Sequence, residues 1–500
     1  MNFMCSTEFR EVRFGARLRM AYWVVALPLL AVWGRAQPMI ETVFFDVPEN
    51  LLPNPIPEPT AQLLAVPGYP NDPARLTLIA RLYRPDPAVF GTGPYPAVLI
   101  LHGAGGMWSN NTIPSPITAA NAPASQFRDW GNLLVDMGYA ALMVDSFNPR
   151  GIAGDFDGRR PHHNQALDDA VCSPNYERPK DVVAALAYLA ARTDIDQERI
   201  AMVGFSHGAQ TGMNALVDVS VDLGTYKVDY VDLVNNVEVT VKKTVPSPVR
   251  IPNGVPMPKF CAFYYGGGSH FAYHGQASSM VAGRYMLDRR TTAILFHGTD
   301  DSLMGTLNFG VTPITGNVFP IKQVISSGLQ AASLGLPNPI VRHYILNRTE
   351  VHAPGARVGH SFDLGSVTIA SENDQDTANE TPNQKARRLA REEVLRWLEF
   401  KLQAPPTTSI QPSSNNPANH VVIWPTRARL SYQLKTSETL ANDWVNAGAS
   451  VEGDGLPREF EAVPSSEGRA FFRIEYQPVA MPLSAPENAG FFLNYADFGL

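Results

Sequence analysis

The sequence predicts an α/β protein with a doubly wound, mostly parallel sheet and a small all-β domain at its C-terminal end. Three observations support this class. Strand-like and helix-like segments alternate from about residue 75 to residue 403, a stretch rich in Pro, Ser, Thr and Asn follows, and short strand-like segments come after it. Strands that alternate with helices pair in parallel and are buried between helical layers. Short strands separated by turn residues are typical of an all-β module.

The strands of the first part are predicted from short apolar runs that end at turn or loop residues. Runs of this length are consistent with strands that are covered on both faces. They lie at 95–103, 140–147, 199–206, 261–267, 291–298 and 341–346.

Helices are predicted between these strands and after the last one. The segments "QFRDWGNLLVDMGY", "ERPKDVVAALAYLAAR" and the residues after Ser206 have helical composition. A final helix is expected at 383–403, where the apolar residues share one face. Those residues are Leu389, Val394, Trp397 and Leu398.

Residues 218–258 interrupt the alternation, because "VEVTVKKTV" at their centre reads as part of an inserted hairpin. In the C-terminal module, Tyr432, Trp444 and Phe472 are expected to be core residues and not a ligand platform. The predicted division of the chain is 1–36 as a signal peptide, 37–403 as the α/β domain, 404–420 as a linker, 421–480 as a β-sandwich-like module and 481–500 as a tail.

Composition excludes several functional classes. The chain has 500 residues, of which 45% are hydrophobic and 17% charged, so it can bury a large core. Residues 1–36 contribute +3 to a net charge of −7, which leaves −10 on the rest of the chain. An acidic surface argues against nucleic acid or an anionic membrane as the main partner.

Residues 1–36 are predicted to be an export signal. Basic residues precede the apolar run "MAYWVVALPLLAVWG", and the small residues Gly34 and Ala36 then stand where a signal peptidase cleaves. The run is shorter than the ~20 residues that span a bilayer and contains Pro28, although a retained anchor stays an alternative. We therefore expect a secreted or periplasmic protein. In that compartment Cys172 and Cys261 would form either one disulfide or two buried thiols.

The segment "RIAMVGFSHGAQTGMNAL" places Ser206 between Gly204 and Gly208, after a strand-like run and before a helix-like one. Strand, sharp turn and helix form the context of a nucleophile elbow, in which a strained turn exposes the serine oxygen. The two glycines keep side chains out of the crowded contact between strand and helix. The pattern predicts that Ser206 is a nucleophile, and a turn without chemistry is the alternative.

A nucleophilic serine requires a base and an acid, which follow it along the chain in a sheet of this kind. "ILFHGTDDSLMG" places Asp300 and Asp301 directly after an apolar strand, and "ARVGHSFDL" places His360 before the final helix. Upstream, residues 102–106 in "ILHGAGGMW" form a glycine turn whose backbone N–H groups can face an oxyanion. Four loops in the required order indicate a hydrolase site.

Residues 75–403 resemble the α/β-hydrolase fold, in particular the dienelactone hydrolase-like family. The motifs that carry the resemblance are "HGAGG", "VDSFNPRG", "RPKDVVAALAYLA", "RIAMVGFSHGA", "HGTDD" and "GHSFD". By position, the resemblance implies Ser206 as nucleophile, Asp301 as acid and His360 as base. It implies the backbone N–H groups of His207 and Ala104 as oxyanion donors.

The sequence departs from that family at the nucleophile, because the enzymes that open dienelactones use cysteine where this chain has Ser206. An ordinary small-molecule or polymer-linked ester is therefore the expected substrate, and an acyl-enzyme the expected intermediate. The alternatives are a serine peptidase of related fold and a non-catalytic binding protein that kept the fold.

No cofactor and no metal are expected. The adjacent His162 and His163 cannot place both rings on one helix face, and the chain has no phosphate-binding loop or dinucleotide fingerprint. The C-terminal segments "YQLKTSETLANDWVNAG" and "AFFRIEY" are similar to small β-sandwich modules of secreted bacterial enzymes. That similarity implies contact with a surface or a polysaccharide.

Overall fold

The apolar runs of the sequence pair into one large sheet. A computed structural model describes residues 38–152, 172, 174, 177–216, 226–234, 237–245, 249–264, 288, 290–298, 300–301, 305–306, 340–346, 362–363, 382–402, 409–412, 420–424, 429–437, 445–453, 457–462, 471–478 and 492–493. All of them belong to one compact unit, residues 36–500.

The described strands are, in chain order, β1 (Met39–Asp46), β2 (Thr77–Arg84), β3 (Tyr95–Leu101), β4 (Ala140–Asp145), β5 (Ile195–Phe205), β6 (Tyr226–Val234), β7 (Val237–Val245), β8 (Phe260–Tyr264), β9 (Ala293–Gly298), β10 (Asp300–Asp301), β11 (Gly305–Thr306), β12 (Ile340–Leu346), β13 (Ser409–Pro412), β14 (His420–Trp424), β15 (Leu430–Ser437), β16 (Val445–Asn446), β17 (Val451–Glu452), β18 (Arg458–Ala462), β19 (Phe471–Pro478) and β20 (Phe492–Leu493). The described helices are α1 (Ala61–Leu64), α2 (Pro87–Phe90), α3 (Ser125–Asp136), α4 (Arg178–Ala190), α5 (His207–Ala215) and α6 (Pro382–Leu402).

The main sheet has nine strands in the order β1-β2-β4-β3-β5-β8-β9-β12-β20. The six strands β4, β3, β5, β8, β9 and β12 run parallel, while β2 and β20 are antiparallel to their neighbours. This is the strand order of the α/β-hydrolase fold, and the predicted fold class is confirmed. β5 is the central strand, so the residue that follows it stands in the middle of one sheet edge.

Both faces of the sheet are covered. One buried cluster joins alternate residues of β2 and β3 to α4 and α5, and the other joins the remaining residues of those strands to α3 and α6. Every residue of β3, β4 and β8 is buried, which explains why these strands read as unbroken apolar runs. On α6, Leu389, Val394 and Leu398 are buried as predicted, while Trp397 is half-buried and stacks on Phe260 with ring centroids 6.0 Å apart.

The structure also differs from the sequence prediction. It adds strands β1 and β2 at one end of the sheet and β20 at the other, and β5 begins at Ile195 instead of residue 199. β1 and β20 are the edge strands, and β20 has only two residues, so their pairing depends on a neighbour that is distant in sequence, whereas β2 lies between β1 and β4. The insertion contains the antiparallel hairpin β6–β7, as expected.

The C-terminal strands form a separate all-β region. β13, β14 and β18 make one small antiparallel sheet, and β15 pairs with β16, β17 and β19 in another. Of the three aromatic residues expected in the core, Tyr432 is 2% exposed, while Trp444 and the side chain of Phe472 lie outside the described residues. Strand β13 lies within the segment expected to be a linker, and β20 lies within the expected tail.

Two further expectations concern the N-terminal segment and the cysteines. The predicted signal peptide lies outside the described residues. Within the part of the chain that the structure describes, no helix is long and apolar enough to cross a membrane. Cys172 and Cys261 are both buried and free, which decides between the two alternatives that the sequence left open.

Candidate active site

Ser206 stands at the tip of β5, in the turn that opens α5. Its backbone has φ 49° and ψ −116°, a conformation that a residue with a side chain rarely adopts. The side chain is half-buried, whereas Phe205 and His207 on either side are buried. Backbone strain of this kind is concentrated at functional sites. The turn therefore has the geometry of a nucleophile elbow.

The flanking glycines explain how such a turn fits. A Cβ on Gly204 would lie 2.8 Å from the Cα of Ala209, and a Cβ on Gly208 would lie 2.6 Å from the carbonyl oxygen of His102 and closer still to that of Leu101. Real Cβ atoms do not approach backbone this closely. Each glycine thus allows α5 to start directly against β3 and β5, as the spacing of the motif predicts.

The glycine loop after β3 lies beside this turn. A Cβ on Gly103 would be 3.4 Å from Cβ of Ser206 and 3.2 Å from the carbonyl oxygen of Phe205. The loop therefore brings Ala104 into the neighbourhood of the serine. His207 is the first residue of α5, where backbone N–H groups have no partner within the helix. Both expected oxyanion donors thus belong to segments that meet at Ser206.

His102 is part of this loop but is a structural residue. It is fully buried; Nδ1 donates to the carbonyl oxygen of Gly103 (2.7 Å) and Nε2 accepts from the N–H of Ser146 (3.1 Å). Burial, and then the positive charge of Arg178, lower its pKa well below the ordinary value of 6.5. A neutral ring with both nitrogens engaged cannot serve as the base for Ser206.

A buried polar network around Asp145 contacts the end of the glycine loop. Asp145 accepts hydrogen bonds from Nε1 of Trp108 (2.5 Å), from the N–H of Phe147 (2.8 Å) and from Nδ2 of Asn148 (2.8 Å). Burial raises the pKa of the Asp145 carboxyl, and these hydrogen bonds oppose that shift. Trp108 lies two residues after the glycine turn, so this carboxylate holds the chain where the loop ends.

Arg178, the first residue of α4, contacts both segments that meet at Ser206. Its Nη2 donates to the carbonyl oxygen of His102 (2.9 Å) and its Nη1 donates to Nδ1 of His207. The guanidinium carbon lies 5.3 Å from the ring centroid of Phe147. The sequence alone assigns no role to Arg178, because the segment "RPKD" places several charges at the start of the helix, and Lys180 and Asp181 are buried there as well.

The predicted acid belongs to a loop at the same edge of the sheet. Asp300 and Asp301 form β10, which pairs with Gly305 and Thr306 of β11 and begins two residues after β9 ends. Only β8 separates β9 from β5 in the sheet. The side chains of Asp300 and Asp301 lie outside the described residues, so their roles stay predictions.

The predicted base, His360, lies outside the described residues, but the two residues that follow the "GHS" segment are described. The ring of Phe362 is buried 5.8 Å from that of Tyr264, whose carbonyl oxygen accepts from the N–H of Ser206 (2.9 Å). Next to it, Asp363 is anchored in the core.

Asp363 joins its own segment to helices α3 and α6 through buried contacts. Its carboxylate accepts from Nε of Arg391 on α6 (2.8 Å), and from Nε2 of Gln126 (3.0 Å) and Nε1 of Trp130 (2.9 Å) on α3. Arg391 and Asp363 are 2% and 0% exposed. Sequence reasoning quoted the "FD" after "GHS" but assigned Asp363 no role, because its partners are 28 and more than 200 residues away.

Comparisons with known proteins were made for sequence and structure. No family model matches the chain, and no significant match is found among curated protein sequences. Among solved structures, the chain is similar to a dienelactone hydrolase-like promiscuous phosphotriesterase from metagenomic libraries, with 13% identity, 73% of this chain and 99% of that one covered, and a TM-score of 0.36.

Two further similar structures are those of an esterase and of a peptidase. Esterase 2 of Thermogutta terrifontis shares 16% identity over 66% of this chain and 91% of its own, with a TM-score of 0.33. Dipeptidyl peptidase 4 of Porphyromonas gingivalis shares 14% identity over 54% of this chain, with a TM-score of 0.30, and the match spans 30% of that longer protein.

Proposed function

We propose that this protein is an exported serine hydrolase that cleaves carboxylic esters through an acyl-enzyme intermediate. Ser206 is the nucleophile, His360 the base and Asp301 the acid, and the N–H groups of His207 and Ala104 bind the oxyanion. The observation that carries this proposal is the backbone of Ser206 at φ 49° and ψ −116° between a buried strand and a helix. A turn without chemistry has no reason to retain such strain.

The anchored residues after His360 support its role as base. Consecutive Cα atoms are 3.8 Å apart, so the Cα of His360 lies within about 7.6 Å of that of Phe362. Phe362 packs on Tyr264, and Tyr264 is hydrogen-bonded through its backbone to Ser206. These contacts of the neighbouring Phe362 support the proposal that His360 is the base.

The position of β10 supports Asp301 as the acid. Parallel strands present their carboxyl ends at one edge of a sheet, and ligands of open α/β sheets bind outside that edge. Ser206 follows β5 and Asp301 follows β9 on this edge. The carboxylate would orient His360 and stabilise the imidazolium that forms during the reaction.

The proposed reaction proceeds in two halves. Oγ of Ser206 attacks the ester carbonyl carbon while His360 takes the hydroxyl proton, and the carbonyl oxygen becomes an oxyanion. The intermediate collapses with cleavage of the C–O bond, and the leaving alkoxide receives the proton from His360. Water then attacks the acyl-enzyme with the same base, which releases the carboxylic acid and restores Ser206.

The enzymatic test is a hydrolysis screen over p-nitrophenyl esters of increasing acyl length. Ser206→Ala and His360→Ala should each abolish turnover without loss of folded structure, because triad members act as one unit. Retention of more than a few per cent of activity in folded Ser206→Ala would overturn the nucleophile assignment.

The adjacent aspartates provide a matched pair for the acid. Asp301→Asn should lose far more activity than Asp300→Asn, and the reverse order would move the role to Asp300. Hydrolysis of peptide amides in preference to esters would favour the peptidase alternative. Absence of all turnover would favour a binding protein.

Export is proposed from residues 1–36 and is tested by the start of the mature chain. Mass spectrometry of secreted or periplasmic material should find an N-terminus near Gln37. An intact N-terminus in a membrane fraction would indicate a retained anchor instead.

We also propose that the β module contacts a surface or a polysaccharide. In support, a cavity of about 600 Å³ lies where the module meets α6, and Phe400 and Tyr476 are among its lining residues. Apart from Ile474, its other lining residues are polar: Ser431, Gln433, Lys435, Asn446, Ser450 and Glu475. Hydroxyl, amide and charged groups are partners for sugar hydroxyls. None of these residues belongs to the loops at Ser206, so this cavity is not the proposed ester site.

Affinity electrophoresis through gels that contain soluble polysaccharides tests this contact. Retardation of the wild type, reduced in Gln433→Ala and Asn446→Ala, is expected. Equal mobility in all gels would exclude soluble polysaccharides as the partner.

A further inference from the structure

Arg178 is an unusual buried cation. Its side chain is fully buried, yet no carboxylate forms an ion pair with it among the described residues, and its two recorded hydrogen-bond partners are a carbonyl oxygen and an imidazole nitrogen. Its Nε has no hydrogen-bond partner in that part of the chain, which is also true of Nε of Arg150, so the difference between the two arginines lies in the ion pair. A buried charge without a partner is costly, so its retention requires an explanation.

The neighbouring Arg150 is also a buried cation, but it is paired with a carboxylate. Arg150 lies 3% exposed and forms a bidentate pair with Asp181, at 2.6 and 2.9 Å, and also donates to the carbonyl oxygen of Ser146. Asp181 is on the same helix as Arg178 but pairs with Arg150. Two buried guanidinium groups in one core therefore have different surroundings.

The contacts of Arg178 point toward the proposed oxyanion hole. The carbonyl oxygen that it binds belongs to His102, two residues before Ala104, and the imidazole that it binds belongs to His207 itself. One rigid planar group thus joins the two segments that carry the proposed donors. The Phe147 ring completes this cluster, with its centroid 4.6 Å from the ring of His102 and 6.0 Å from that of His207.

We propose that Arg178 is a positioning residue of the oxyanion hole. It fixes the glycine loop against the nucleophile elbow, and its positive charge, which has no carboxylate ion-pair partner among the described residues, complements the negative charge that develops on the substrate oxygen. This inference rests on the proposed hydrolase function. The charge is set before the reaction begins and costs no reorganisation when the intermediate forms.

Two substitutions distinguish the contribution of the charge from that of the hydrogen bonds to the two segments. Arg178→Met removes both the charge and the bridge, whereas Arg178→Lys keeps a charge but cannot donate from two fixed nitrogens to two segments. We expect kcat to fall about 100-fold in Arg178→Met, similar to the loss of an oxyanion donor, and by a smaller factor in Arg178→Lys. KM should stay within about twofold, because the ester in its ground state gains little from this charge.

A second readout does not depend on the preferred ester. A fluorophosphonate forms a tetrahedral adduct on the nucleophilic serine, so its rate of reaction with Ser206 should fall in parallel with kcat. Arg150→Lys is the matched control, since it makes the same exchange at a buried arginine that contacts neither segment. It should change kcat and the labelling rate by less than about threefold. Circular dichroism and thermal unfolding establish that each variant is folded.

Three results would overturn the inference. They are folded Arg178 variants with kcat and labelling rate within about threefold of wild type, a rise in KM alone, and an equal loss of kcat in Arg150→Lys. If Arg178→Met does not fold, Arg178→Lys decides the question by the same criteria. A wild-type protein that neither hydrolyses esters nor reacts with the fluorophosphonate would refute the proposed function itself.

Discussion

The edge of the sheet around Ser206 and the C-terminal β module are built in different ways. Strands β3, β4 and β8 near the serine are buried along their whole length, and their loops are held by buried polar contacts. In the module, β15 alternates between buried and half-buried residues, so only one of its faces is in a core. The loops of the first region are held by strands and helices on both faces of the sheet, whereas the described residues of the module contact the α/β region at α6.

That interface lies on α6, the last helix of the α/β region. The ring of Phe400 packs on Tyr476 with centroids 5.8 Å apart, and Nε of Arg429 donates to Glu392 at 2.8 Å. Residues of α6 on the opposite side hold Asp363 and so the segment after His360. The helix thus contacts the module on one side and the candidate site on the other.

The largest effect on stability is expected from Asp363→Asn, which removes the carboxylate that pairs with Arg391 in the core. Breaking a buried pair in this way costs about 3–5 kcal/mol. Ester hydrolysis should fall as well, because the segment after His360 loses its anchor. Urea unfolding measures the change, and Arg75→Met is the control, because its pair with Asp46 is at the surface and should contribute much less to stability. Equal losses in the two variants would contradict the assigned anchor role.

Gly208→Ala tests how tightly the nucleophile elbow is packed. The added Cβ would meet the backbone of β3 and of His102, which cannot move aside as a side chain can. We expect a loss of about 3 kcal/mol in the free energy of unfolding, together with loss of activity. Gly105→Ala, in the neighbouring loop, is the control because nothing lies within 4 Å of its Cβ. A stable and active Gly208→Ala would show that the turn tolerates a shift of α5.

Truncation after Gln403 separates the two regions. We expect the shortened chain to fold and to keep turnover on a small soluble ester, since all proposed catalytic residues precede residue 361. It should lose about 2 kcal/mol of stability, because Phe400 becomes exposed and β20 no longer covers the edge of β12. Phe400→Ser in the truncated chain should improve solubility. An insoluble or inactive product would mean that the module is part of the catalytic unit.

The smallest effect per side chain is expected on raising the pH. Burial raises the pKa of Cys172 and of Cys261 from 9.0 to about 12, so the unfolded chain releases these protons at a lower pH than the folded one. The stability that each thiol contributes is complete below pH 9 and is lost as the pH rises toward 12. At pH 10 the loss is on the order of 1 kcal/mol per thiol. Tyr69 and Tyr83, with pKa values raised to about 12, act in the same direction.

Urea unfolding at pH 8 and pH 10 measures this slope. The Cys172→Ala/Cys261→Ala variant should show a shallower decrease between the two pH values. In the native wild type at pH 8, both thiols should resist alkylation. Rapid labelling of either would contradict its burial.

The sequence by itself determined the parts of this protein that depend on neighbours along the chain. Apolar runs located the strands, and the pattern of Gly204, Ser206 and Gly208 identified a turn whose crowding the structure explains. These signals are local, because a buried strand and a tight turn constrain consecutive residues.

Only the tertiary structure decided which buried charges are paired and which loops they hold. Arg178 reaches His102 across 76 residues, Asp363 reaches Gln126 across 237, and β20 joins β12 from the far end of the chain. A charged residue has the same sequence context whether it is solvated, ion-paired or buried alone. The order of strands in the sheet brings these residues together, and it follows from the packing of the whole chain and not from any local period.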